Sequence, residues 1–141
     1  MVASVIDRHI AEWMRRPFRF GSDDCAFAVR AILQEAGATS VYQNRIGEFT
    51  APGSIAEFVA RETAGGGLAA LVLKVARDHG WRRIRTSEAV DGDLALFRGP
   101  RREPIVGIVR GPMIMTRAQP RGAVGLPKSM GSVAFRVNYG A

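Results

Sequence analysis

The sequence predicts one α+β domain, with helices in its first part and an antiparallel sheet in its last. Three observations carry this expectation. At 141 residues the chain can bury one respectable core but not two independent ones. Hydrophobic residues make up 47% and charged residues 23%, the composition of a folded globular protein. Helical periodicity ends near Trp81, after which short β-rich runs alternate with Gly and Pro breaks. Helices followed by strands form a layered α+β arrangement, the helices lying on one face of the sheet.

The elements follow in order. Val5, Ile6, Ile10, Trp13 and Met14 recur at helical spacing, so residues 3 to 15 read as an amphipathic helix with Asp7, Arg8, Glu12 and Arg15 in water. Pro17 stops it. A second helix starts at Ser22, Asp23 and Asp24, whose short polar side chains accept bonds from free amides. It carries the stripe Cys25, Val29, Ile32, Leu33, Ala36 and ends at Gly37. Thr39 to Gly53 reads as an exposed connection anchored by Tyr42 and Phe49. Ser54 and Glu57 make a capping box for a third helix with Ile55, Phe58 and Val59 inward, ended by Gly65, Gly66 and Gly67. The last helix spans about Leu68 to His79, with Gly80 at the left-handed cap. The expected strands are Leu94 to Arg98, Ile105 to Arg110, Met113 to Arg117 and Val133 to Val137.

The net charge of +7 comes almost wholly from arginine, Lys74 and Lys128 being the lysines. Arginine-rich usage accompanies GC-rich coding, and it also suits an anionic partner, because guanidinium forks pair with carboxylates and phosphates. The clusters Arg82, Arg83, Arg85 and Arg98, Arg101, Arg102 lack interleaved aromatics for base stacking, so a solvated face or docking to an acidic surface ranks ahead of nucleic acid. No zinc-ligand set, phosphate loop or dinucleotide fingerprint is present, and no cofactor is expected. Cys25 is the single cysteine, which excludes an internal disulfide. Asp7, Arg8 and Glu12 interrupt the apolar stretch that a signal peptide needs, and the run Leu68 to Ala76 is too short and carries Lys74, so no membrane span is expected.

Chemistry concentrates at Phe20-Gly21-Ser22-Asp23-Asp24-Cys25. A thiol at a helix start meets free amides and the positive end of the helix dipole, which favour the thiolate. Asp23 and Asp24 oppose that unless they cap the helix. Downstream come Asp91-Gly92-Asp93-Leu94-Ala95-Leu96-Phe97 and Ile105-Val106-Gly107-Ile108-Val109-Arg110-Gly111. In this order the three segments resemble the NlpC-type branch of the papain-like cell-wall peptidases, over roughly residues 13 to 137. The resemblance implies a papain-like fold with Cys25 at the nucleophile position, preceded by Asp24. It puts Ile105 where the family has its catalytic histidine and Met115 where a polar residue orients that histidine.

The N-terminal tryptophan helix, Pro17-Phe18-Arg19-Phe20-Gly21 and the terminal Val133-Ala134-Phe135-Arg136-Val137 are similar to a small branch found among phage tail genes. That resemblance implies a protein made in the bacterial cytoplasm and built into a tail, with tail-tip or hub proteins as partners and peptidoglycan as a further one.

A cysteine peptidase needs a base within hydrogen-bond reach of its sulfur. His9 and His79 are the histidines. His79 sits before Gly80, where a cation suits the helix C-terminus, and His9 reads as a partly exposed helix residue. Cys25 also continues an apolar stripe, so a packing role competes with nucleophilic attack. Three readings stay open: a structural or degenerate peptidase fold, an active cysteine hydrolase with His79 or His9 as an unusual base, and a basic nucleic-acid-binding module.

Overall fold

The computed structural model describes residues 2–16, 25–38, 67–99, 102, 104–118 and 122–139. Three helices lie within them: α1 (Val2–Trp13), α2 (Cys25–Glu35) and α3 (Gly67–Asp78). Six strands follow: β1 (Arg82–Ile84), β2 (Leu94–Arg98), β3 (Pro104–Arg110), β4 (Met113–Thr116), β5 (Val124–Pro127) and β6 (Val133–Arg136). The expected helix around Ser54 and the connection bearing Tyr42 and Phe49 lie outside the described residues.

The strands form one antiparallel sheet in the order β1-β6-β2-β3-β4-β5. The β3–β4 hairpin turns at Gly111, with φ of +59°, and the loop ahead of β2 turns at Gly92, with φ of +91°. Both values lie in the left-handed region that glycine enters without a side-chain clash. Helix ends obey the same rule. Gly37 and Gly80 have φ of +88° and +71°, and the amides of Ala38 and Trp81 return to the carbonyls of Leu33 and Ala76.

Side chains alternate across the sheet with period two. Leu94, Leu96, Val106, Phe135 and Val133 meet Val29 and Leu33 of α2 and Val72, Val75 and Ala76 of α3. Ile108 and Met115 on the same face meet Ile6 and Trp13 of α1 and Ala28 and Ile32 of α2. Each fully buried aliphatic of this kind contributes about 1.5–3 kcal/mol of transfer free energy. Of the stripes read from the sequence, Ile6 and Trp13 of α1 and Val29, Ile32 and Leu33 of α2 became core, as did Ala36 just after it, whereas α1 ends at Trp13 and leaves Met14 67% exposed. Past the last helical residue the periodicity no longer decides where a side chain points.

The opposite sheet face is also apolar: Ala95, Phe97, Val109, Ile114 and Ala134, with Ile84, Ile105 and Leu126 beside them. It is closed by curvature. Two single-turn 3₁₀ helices, Thr86–Glu88 after β1 and Lys128–Met130 after β5, belong to opposite ends of the strand order yet touch. Lys128 Nζ donates to the Ala89 carbonyl at 2.9 Å, and a Cβ at Gly131 would meet the Thr86 methyl at 2.8 Å. The sheet thus folds over its own far face, which explains the burial of consecutive residues in β2 and β3.

Candidate functional site

Cys25 lies in α2, at the first described residue of that helix. The Cys25 side chain, and Asp24 altogether, lie outside the described residues. The helix itself is firmly seated. Ala28, Val29, Ile32 and Leu33 are buried, and α2 rests on β3 and β4. The cysteine helix and the strand bearing Ile105 are thus in contact, as the resemblance requires.

Within β3, Ile105 pairs with Phe97, and its side chain joins Phe97, Val109 and Ile114 on the curled face, opposite to the face that holds α2. Met115 pairs with Ile108 and lies on the α1 and α2 side. The two positions that the family resemblance links therefore occupy different faces of the sheet. Both are apolar, and neither side chain can exchange a proton.

The histidines are each committed elsewhere. His9 Nε2 donates to Glu35 Oε1 at 3.1 Å, and Arg8 pairs with the same carboxylate. Burial, then the Arg8 guanidinium, hold the His9 pKa below its ordinary 6.5, so the ring is a neutral donor there. Glu35 ends α2 and Cys25 begins it, a separation of roughly 15 Å along the helix axis at 1.5 Å per residue. His9 thus serves the end of α2 away from the thiol. His79 Nδ1 donates to the Val75 carbonyl at 2.8 Å, beside the backbone bond that carbonyl accepts from the His79 amide at 3.0 Å. Its ring stacks on Trp81 with centroids 4.8 Å apart, and its Nε2 is buried without a hydrogen bond.

The Asp91-Gly92-Asp93 turn has a structural task. Asp93 is 1% exposed, and its Oδ2 accepts the Val90 amide and Arg136 Nε, both at 2.9 Å, while its Oδ1 accepts the Val137 amide at 3.2 Å. One carboxylate fastens the entry of β2 to the exit of β6. Tyr139 Oη donates to the Gly92 carbonyl at 2.5 Å, and burial, reinforced by the Asp93 charge, pushes its phenol pKa upward. Asp91 accepts the Gly111 amide at 2.6 Å and Arg110 Nη1 at 3.2 Å. Arg110 also grips Asp7 of α1 through Nε and Nη2 at 2.8 and 3.0 Å, lowering the Asp7 pKa through that hydrogen bond.

A further arginine was invisible in the sequence. Arg117, just beyond β4, is 1% exposed, and donates from Nη1 to the carbonyls of Trp13 at 2.6 Å and Gly122 at 3.1 Å, and from Nη2 to that of Arg16 at 2.9 Å. It places a cation against the negative end of the α1 dipole. In a chain this rich in arginine no local signal separates such a buried cation from a solvated one. Among the described residues no cluster of three or more His, Cys, Asp or Glu could hold a metal ion, and no helix is long and apolar enough to cross a membrane.

The arrangement of a cysteine-led helix on a curled antiparallel sheet is a papain-like fold of the NlpC type. The chain matches the crystal structure of the NlpC/p60 domain of peptidoglycan hydrolase SagA with a TM-score of 0.54, covering 95% of this chain and 97% of that one at 17% sequence identity. By sequence, residues 2–137 match the family described as Domain of unknown function (DUF6950), and the chain belongs to it. No curated protein matches the sequence.

Proposed function

We propose that this protein is a phage tail-tip or hub-associated component that uses a cell-wall-peptidase-like domain for assembly or wall engagement, its catalytic machinery degenerate. The observation that carries this reading is Ile105. The motif resemblance assigns it to the histidine position, and its aliphatic side chain packs among Phe97, Val109 and Ile114, on a domain whose fold is that of NlpC/p60 proteins. Without an imidazole, the general acid-base contribution of about 10²–10⁴-fold has no evident source. The reading places synthesis in the bacterial cytoplasm, the finished protein in a phage or phage-like tail, and peptidoglycan among its contacts.

The competing reading is an active cysteine peptidase with Cys25 as nucleophile and His79 as base. The bond from His79 Nδ1 to Val75, and the buried Nε2, weigh against it. Purified protein and a Cys25→Ala variant, incubated with peptidoglycan sacculi, decide between the two. The degenerate reading expects no release of soluble muropeptides by either, whereas release by the parent alone would establish catalysis and overturn it. Co-purification from phage-producing cells tests the other half: recovery with tail-hub proteins is expected, and recovery free of any tail component would refute the assembly role.

A further inference from the structure

β1 and the residue after it read Arg82-Arg83-Ile84-Arg85, and Arg85 is still in extended conformation, with φ of −70° and ψ of 145°. Arg82, Arg83 and Arg85 are exposed and, with Thr86, Glu88 and Ser132, line a groove of about 580 Å³. β1 stands at the end of the strand order, with β6 its one partner among the described strands. The carboxylate in the lining, Glu88, lies 3.8 Å from Arg85, with side chains 58% and 86% exposed. Such a solvent-screened pair competes weakly with an incoming anion.

We infer that this groove binds an acidic, extended segment of a partner protein, its carboxylates spaced two residues apart. Ile84 turns into the apolar curled face, so Arg83 and Arg85 project together to the other side. Their spacing along the strand is about 6.6–6.8 Å, which an extended peptide with Glu or Asp at every second position reproduces. Guanidinium forks bind carboxylates bidentately, and the hydroxyls of Thr86 and Ser132 supply further donors at the groove. The lining has no aromatic ring on which a base could stack, and the basic strip is about 10 Å long, too short to follow a run of phosphates. A protein segment fits these features, and nucleic acid does not. The inference is separate from the Cys25 site and stands or falls independently of the tail reading.

Fluorescence anisotropy at low salt tests it, with fluorescein-labelled Val-Glu-Val-Glu-Val-Glu-Val as the probe. Saturable binding is expected, weakened about ten-fold in an Arg83→Glu/Arg85→Glu double variant, as losing two charge-assisted contacts implies. An Arg15→Glu/Arg77→Glu variant carries the same net-charge change at exposed positions away from the groove lining, and should bind within about two-fold of the parent. Far-UV circular dichroism confirms that each variant is folded. Equal weakening in both double variants would show general basicity and overturn the site. So would tighter binding of a short oligothymidylate, equal binding of a peptide with paired rather than alternating glutamates, or no saturation.

Discussion

Replacing Arg117 by methionine probes the tie between α1 and the end of β4. Methionine keeps most of the aliphatic volume but takes the guanidinium donors from the carbonyls of Trp13 and Arg16, while that of Gly122 keeps the Ala118 amide at 3.3 Å. A buried acceptor left unpaired costs about 1–3 kcal/mol. The buried Trp13 carbonyl and the partly buried Arg16 carbonyl, less the relief of no longer desolvating a cation, leave a net loss of about 2 kcal/mol. At about 3 °C per kcal/mol for a chain of this size, the midpoint of thermal unfolding falls by roughly 6 °C. Urea titration followed by circular dichroism should show the lower midpoint at an unchanged m-value. Arg117→Lys keeps the charge, but its single ammonium head cannot reproduce the fork, so it should fall between the two. A loss under about 1 kcal/mol for Arg117→Met would mean that the guanidinium's desolvation cancels its bonds, and would refute the clamp.

Other perturbations test other joints. In Gly107→Ala the new Cβ would lie 2.6 Å from an Ile114 methyl and 2.9 Å from the Met115 carbonyl oxygen, so β3 and β4 must part, at about 1–3 kcal/mol in a urea titration. An unchanged midpoint would show that the β4 backbone yields freely. The Asp7 pKa is lowered below its ordinary 3.8 by Arg110, so that contact stabilises the fold above the unfolded-state value and is lost as pH falls through the lower folded value. Asp7→Asn should therefore lower the melting temperature at pH 6 and converge on the parent in strong acid; a constant gap at every pH would refute the assignment. Tyr139→Phe removes the bond to the Gly92 carbonyl and should cost about 1 kcal/mol. Ultraviolet pH titration of the parent should show a late-ionising phenol that is missing from the variant, and a late-ionising phenol persisting in the variant would exclude Tyr139 as the buried one.

Cys25 offers the direct measure of the motif itself. Its alkylation rate against pH should follow an ordinary thiol near 8.5, or be slow until unfolding, if the domain is catalytically degenerate. A reactive thiol at neutral pH would instead show an activating environment at the start of α2.

Much of this architecture was legible without the fold. The stripes Ile6 to Trp13 and Val29 to Ala36 repeat often enough to declare helices, and Gly37 and Gly80 mark the ends of α2 and α3 because left-handed backbone favours glycine. Leu94–Arg98 was read at its full extent because a turn glycine precedes it and a glycine and proline follow. β1 and β5 were not read as strands. Each is short, Arg82-Arg83-Ile84 looks like a solvated basic run, and Val124–Pro127 includes Gly125 and ends in proline. Their pairing energy comes from β6 and β4, which are remote in sequence or visible only once the hairpin exists.

What the sequence by itself determined is the local part: where α2 and α3 end, the α+β order, and the helix that carries Cys25. Those follow from side-chain periodicity and from backbone conformations that particular residues permit. Only the tertiary structure decided which face Ile105 occupies, that Arg117 is sealed against three carbonyls, and that His9 belongs with Glu35 rather than with the thiol. Each depends on contacts across tens of residues, and a side chain's chemistry names its partners by type while the packing of distant segments selects which of them it meets.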